Sequence, residues 1–465
     1  MKYIMKIKLL IIIGILIIGI VVVSGCMKKT SITNNSVSKV PGPVPAVPSA
    51  PVKKDKILQV KVASIYESII DGNPIGPNRS IEEVSKLLND THTDMVHRGF
   101  FRWNPVPESP QNISPELITY FAERGNIAPE QIPPLIEKSG YNYEQLSKSI
   151  NVIKEKNPNI IFVGAIAAQR INRIERNDKS GKIYTTNETW AMALDPQKWN
   201  ISFNGKPLTK EQFQEMFARS QQWIKPNEQY DWRKEDAYFP DITNAEFQEI
   251  LLSWAEKQVD SGADAIWIDG LPQTSLFYKV TKEKNNPMIN DLYSASEKII
   301  DGIHNYRPEK KVYVGAWALP LGLVEGLPYL PPSVDFVTMT VPSNEILNQE
   351  LNKIEWANEI TYAKNIYNNV PIFVVMDWGG DNLPLFVFSQ KLTNEERKNL
   401  LKNLDEEFEK MGVNFVYPIH GGWMGEGATI LSFGKWKTYD SLAPEFDTYE
   451  IIKQLSLNKS INEIG

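Results

Sequence analysis

Cysteine occurs once in these 465 residues and histidine four times. A lone cysteine excludes any disulfide within the chain. With no HExxH and no paired-cysteine motif, little material is left for a metal site, and none is expected. Basic charge is short as well: 50 Lys and Arg against 56 Asp and Glu give a net charge of −6. No basic stripe offsets that balance, which argues against nucleic acid as a partner. No glycine-rich phosphate fingerprint follows the first strand pattern, which argues against an open doubly wound sheet, and no cofactor is expected.

What is present begins with an address. Lys2, Lys6 and Lys8 precede an apolar run from Leu9 to Val23, and Ser24-Gly25-Cys26 follows. A basic start, an apolar middle and small residues at the end make a secretory signal. The small pair before the cysteine resembles the lipobox of prokaryotic lipoproteins. That resemblance implies lipidation at Cys26 and a chain held at the extracytoplasmic face of the cell membrane. An uncleaved anchor helix is the competing expectation, since the run is only slightly short of the ~20 residues of a span. Residues 27–56 lack periodicity and include PGPVPAVPSAP, Pro41 to Pro51, which reads as a disordered, semi-rigid tether. Residues 57–465 remain for one large domain.

Strand and helix patterns alternate along that domain. Eight strands are expected: Gln59–Tyr66, Met95–Trp103, Ile160–Gln169, Ala263–Asp269, Lys311–Ala318, Val334–Val341, Pro371–Gly379 and Val413–Gly421. Two of the helices feeding them share one plan. Thr243 with Glu246, and Thr393 with Glu396, read as capping boxes, and Gly262 and Gly412 read as helix stops. Repeated helix–Gly–strand units imply parallel strands with right-handed crossovers. Eight of them predict an α/β fold, a (β/α)8 TIM barrel. Two long insertions, Asn104–Asn159 after strand 2 and the aromatic-rich Arg170–Pro240 after strand 3, are expected over the active-site face.

Chemistry in such barrels sits at the carboxyl ends of the strands. SGADAIWIDG, Ser261 to Gly270, reads as a helix stop, a buried strand and a carboxylate at its end. Asp269 is therefore a catalytic candidate. The other ends supply Arg98, Arg102 and Trp103 (strand 2), Trp317 (strand 5), Asp377 and Trp378 (strand 7), and His420 and Trp423 (strand 8). Indoles offer an apolar face to the C–H side of a sugar ring, and charged neighbours suit its hydroxyls. Glycoside hydrolysis needs two carboxyl groups flanking the scissile bond. Asp269 and Asp377 are the expected pair, with Glu325, Glu345 and Glu426 as rival acids.

The span PDITNAEFQEILLSWAEKQVDSGADAIWIDG, Pro240 to Gly270, resembles the retaining glycosidase barrels of the α-galactosidase and endo-α-1,4-polygalactosaminidase type. By that resemblance Asp269 is the nucleophile and Asp264 a structural acid before the strand. The ends of strands 5 and 6 read GAWALP and TMTVPS, without the second acid that related barrels place there. The reading is thus a surface-anchored glycoside hydrolase acting on a polysaccharide or glycan. One alternative is a non-catalytic carbohydrate- or cell-wall-binding lipoprotein with a degenerate barrel. The other is a metal-dependent hydrolase using His97, Asp269 and His420.

Overall fold

The computed structural model describes residues 55–70, 77–221, 223–224, 228–271, 273, 286–319, 332–377 and 379–461. The signal segment with Cys26, the tether, Trp378 and Glu325 lie outside these residues.

All eight expected strands form: β1 (Ala63–Tyr66), β2 (Met95–Arg102), β3 (Ile161–Ala167), β4 (Ala265–Asp269), β5 (Tyr313–Trp317), β6 (Phe336–Thr340), β7 (Ile372–Val375) and β8 (Asn414–Trp423). Each pairs in parallel with the next, and β1 closes on β8 through Ala63 opposite Val416. A short β9 (Thr438–Asp440) adds antiparallel to the outer end of β8. The result is a closed (β/α)8 barrel, as the alternation of patterns predicts. Outside it stand α1 (Ile81–Asp90), α2 (Tyr143–Lys156), α3 (Ala245–Asp260), α4 (Met288–Tyr306), α5 (Lys353–Ile366), α6 (Asn394–Lys410) and α7 (Tyr449–Ile461). Among the described residues no helix is long and apolar enough to cross a membrane.

Local chemistry explains the register. Ser80 and Thr393 close capping boxes with Glu83 and Glu396. At α3 the cap is Asn244, which accepts from the Phe247 amide. Thr243 is drawn off to the Asp241 carboxylate, at 2.6 Å, which corrects the expected Thr243–Glu246 box. Three aspartates repeat one device at the amino end of the barrel. Asp94, Asp264 and Asp335 each lie just before a strand and accept the amide of Val62, Phe162 or Val314 at the foot of the preceding strand. Asp264 also pairs with Lys154, at 2.7 Å. It is a barrel-floor residue, consistent with a structural part.

The two long insertions form their own small structures on the carboxyl side. Helices Pro115–Gly125 and Ile132–Ser139 build the first. The second has two-residue ladders, among them Ile171–Asn172 with Ala237–Tyr238, and helix Lys210–Ser220.

Candidate active site

The geometry starts from Trp267, wholly buried in the middle of β4. Its Nε1 donates to Thr338 Oγ1 on β6 at 3.0 Å. Its ring meets His97 on β2 edge-on at 5.4 Å and Trp317 on β5 at 5.2 Å. Contacts two strands away on both sides place the indole inside the barrel. Side chains alternate along a strand, so Asp269, two residues on, faces the same interior at its carboxyl end. Trp267 is the floor and Asp269 stands above it.

Asp269 is 7% exposed, and each carboxylate oxygen is held. Gln169 Nε2, at the end of β3, donates to one at 2.7 Å. Trp317 Nε1 donates to the other at 2.9 Å. Burial pushes its pKa above the usual carboxylate range, against the opposing charge of Arg98 and these hydrogen bonds. The backbone behind it is fixed as well. The Asp269 carbonyl accepts the Ala168 amide at 2.8 Å, and the Gln273 side chain donates to the Ala168 carbonyl at 2.6 Å. Gly270 has φ +74°, and a Cβ there would meet the Gln169 Cβ at 2.6 Å. Only glycine lets the chain leave so close to the glutamine that holds Asp269.

Arg98 reaches this interior because β2 is bulged. Val96 pairs with Phe162 but Phe100 with Gly164, so β2 carries extra residues there, and Arg98 sits in the left-handed region at φ 56°. Bulges re-aim side chains near active sites. The guanidinium lies over the Phe101 ring at 4.4 Å and over Trp267 at 5.0 Å. It also ion-pairs with Glu67, just past β1, at 3.5 Å. Glu67 accepts the Gly422 amide at 3.0 Å. Gly421 beside it has φ +106°, and a Cβ there would strike the Glu67 Cβ at 2.3 Å.

His420, on β8, completes the arc. Its Nδ1 is 2.8 Å from Asp440 Oδ2, and its ring packs on Tyr66 at 4.8 Å. Arg79 clamps the same aspartate through both nitrogens, at 2.6 and 3.0 Å. Burial pushes Asp440 up, but hydrogen bonds and charge from His420 and Arg79 carry its pKa below the ordinary value. An anionic Asp440 fixes the imidazole by its Nδ1 side.

Other expected site residues lie elsewhere. Arg102 is 0% exposed and points out of the barrel. It pairs with Glu175 at 2.8 Å and Asp178 at 3.0 Å, and stacks on Trp254 of α3 at 4.3 Å. It anchors the second insertion and is withdrawn from any ligand. Trp103, expected at the open mouth, is 1% exposed and packs against Phe101 at 5.2 Å. Trp423 is half-buried at the last position of β8. Asp377 follows β7 and is buried. Its amide donates to Thr340 Oγ1 at 3.1 Å, and its carbonyl accepts the Leu385 amide at 3.0 Å.

Two rival acids are engaged in other work. Glu345 accepts from Trp356 Nε1 at 2.8 Å and the Asn352 amide at 3.1 Å, tying a short helix to α5. Glu426 is exposed and paired with Lys437 at 2.9 Å. Among the described residues no three His, Cys, Asp or Glu side chains converge as metal ligands. His97, Asp269 and His420 therefore do not form such a set. His97 is buried, and burial together with Arg98 drives its pKa well below the usual value, so it stays neutral.

Sequence reasoning missed Glu67, Gln169 and the Arg79–Asp440 clamp. For the first two the signal was available, as polar residues directly at the ends of the first and third strand patterns. The clamp joins residues 361 positions apart and leaves no local trace.

No family model matches the chain, and no curated protein sequence does. Among solved structures it is similar to Eubacterium rectale Amy13B, with 11% identity and a TM-score of 0.39, over 87% of this chain and 79% of that one. The ligand-free cyclic α-maltosyl-(1→6)-maltose hydrolase of Arthrobacter globiformis gives 11% and 0.43, over 87% and 83%. The glycoside hydrolase domain of PelA from Pseudomonas aeruginosa gives 11% and 0.30, over 58% and 83%. Likeness this remote leaves the chemistry of the mouth to its own residues.

Proposed function

We propose that this barrel is a glycoside hydrolase with Asp269 as its nucleophile or base. The observation that carries the reading is the setting of Asp269: buried at the end of β4, gripped by Gln169 and Trp317, with Arg98 opposing the cost of its charge. A carboxylate short of water but fixed in direction suits attack at an anomeric centre or activation of water there. The half-buried Trp317 supplies an indole wall beside it.

Asp377 is the proposed second carboxyl. Glu67 is engaged by Arg98 and the Gly422 amide. Glu345 and Glu426 are committed to Trp356 and Lys437. What supports Asp377 is its position, buried directly after β7 at the carboxyl end of the barrel. His420 and Trp423 then serve as carbohydrate-binding residues.

The test is release of reducing ends from a polysaccharide panel. Asp269→Asn is expected to remove turnover with the fold intact by circular dichroism. Asp377→Asn should lose roughly 10²–10⁴-fold, the usual share of a general acid. Wild-type rates in the Asp269 variant refute the assignment. Retention of a polysaccharide on immobilised protein, with no reducing ends released by wild type, makes the chain a binder. Anchoring through Cys26 is proposed from the signal-like N-terminus, and Cys26→Ala is expected to leave the chain out of the membrane fraction.

A further inference from the structure

Just outside the arc described above, three buried hydrogen-bond donors have no acceptor among the described residues: Trp103 Nε1, Asn104 Nδ2 and Arg170 Nη2. They belong to one cluster. The Arg170 guanidinium lies 4.9 Å from the Trp103 ring centre and 5.0 Å from that of Trp223. Its Nε donates to Asn172 Oδ1 at 3.1 Å, and Asn172 in turn donates to the Trp103 carbonyl at 3.1 Å. Arg124 adds a second positive charge, with Nη1 2.6 Å from Asn104 Oδ1.

The nearby acids are already committed. Glu175 pairs with Arg102 and accepts from Asn172, and Asp236 pairs with Arg124 at 3.0 Å. Arg170 is 3% exposed and, among the described residues, forms no ion pair with a carboxylate. A buried cation without a counter-charge is costly, and orphaned buried donors call for a partner. All three orphans are donors, so the missing partner is an acceptor, and the Arg170 guanidinium asks that it be negative. A guanidinium and an indole N–H together match an oxyanion.

The place is as telling as the chemistry. Arg170 directly follows Gln169, whose side chain holds Asp269, and Trp103 directly follows the end of β2. The half-buried Trp223 also packs against Arg170. We propose that Arg170, Trp103 and Asn104 form an oxyanion subsite beside the catalytic mouth, taking the carboxylate or sulfate group of an acidic sugar. This deepens the glycosidase reading and, as a statement about substrate, rests on it. The same donors would also accept a free inorganic anion.

The experiment is calorimetric binding of sodium glucuronate, glucose and sodium sulfate to the full chain at constant ionic strength. Wild type, Arg170→Gln, Trp103→Phe and Asp269→Asn are compared. Glucuronate is expected to bind and glucose not. Arg170→Gln should weaken binding roughly tenfold or more, and Trp103→Phe less, through the loss of one donor. Glucuronate is expected to raise the melting temperature of wild type and not that of Arg170→Gln; an equal rise in both overturns the subsite. Sulfate that competes with glucuronate supports a shared site, and sulfate that binds while glucuronate does not assigns it to a free anion. Binding of neither, or unchanged glucuronate affinity in Arg170→Gln, overturns the proposal. Glucuronate bound by Asp269→Asn, with no glycan cut by wild type, sinks the hydrolase and keeps the subsite. Cleavage confined to neutral glycans, undiminished in Arg170→Gln, sinks the subsite and keeps the hydrolase.

Discussion

Replacing Arg98 by methionine tests the electrostatics of the mouth directly. The arginine and Glu67 are both nearly buried, with side chains 6% and 9% exposed and 3.5 Å between charged atoms. Removing one partner of a buried pair costs ~3–5 kcal/mol, because the other charge is stranded. The long separation, and the Gly422 amide that still holds Glu67, put Arg98→Met at the lower end, about 3 kcal/mol. Methionine keeps much of the packing on Phe101 and Trp267. Glu67→Gln in the same chain removes the stranded charge, so the double variant should regain at least ~2 kcal/mol as a coupling energy in the cycle. Urea denaturation at neutral pH measures both. Activity gives an independent sign. Arg98 opposes the burial that raises Asp269, so its loss moves the acid limb of kcat/KM to higher pH. Glu67→Gln removes a like charge and moves that limb to lower pH. A cost under ~1 kcal/mol for Arg98→Met, a double variant no more stable than the single, or limbs that move together would refute the reasoning.

Further outcomes follow from the same geometry. Gly270→Ala combines φ +74° with a Cβ 2.6 Å from Gln169; a loss of about 2–4 kcal/mol is expected, with kcat falling as Gln169 is displaced, and wild-type kcat and stability would reject this. Arg102→Met strands Glu175 and Asp178 and should cost ~3–5 kcal/mol with KM unchanged, checked by denaturation and steady-state kinetics. Asp440 is lower in the folded chain than its unfolded value of about 3.9, so its ionised form adds stability above that pH and loses it as pH falls through the folded value. Asp440→Asn should therefore be less stable than wild type at pH 5–8, with the gap closing below about pH 4; a gap independent of pH would show that charge is not the cause.

The eight strands were legible because each is an apolar run, two of them directly after a glycine helix stop, and neither signal depends on distant residues. Gly262, at φ +110°, and the WIDG end of β4 placed Asp269 from ten residues alone. The same reasoning failed on HRGFFRW. A regular strand puts Arg98 and Arg102, four positions apart, on one face. The extra residues between Val96 and Phe100 break that phase. Arg98 goes inward to Trp267, and Arg102 goes outward to Trp254. Alternation predicts a face only while the ladder is unbroken, and bulges concentrate where function distorts it.

Glu67 escaped notice for a different reason. A single acid after a four-residue strand looks like any turn residue, and its meaning comes from Arg98, supplied by the next strand. Along the arc from β1 to β4 the charges alternate: Glu67 negative, Arg98 positive, Asp269 negative. In a mouth floored by Trp267, with little water to screen them, two adjacent carboxylates would raise each other steeply. The arginine between them opposes that rise at Asp269, while burial still leaves the carboxylate poorly solvated. A nucleophile or base needs both conditions, and neither residue alone would reveal the arrangement.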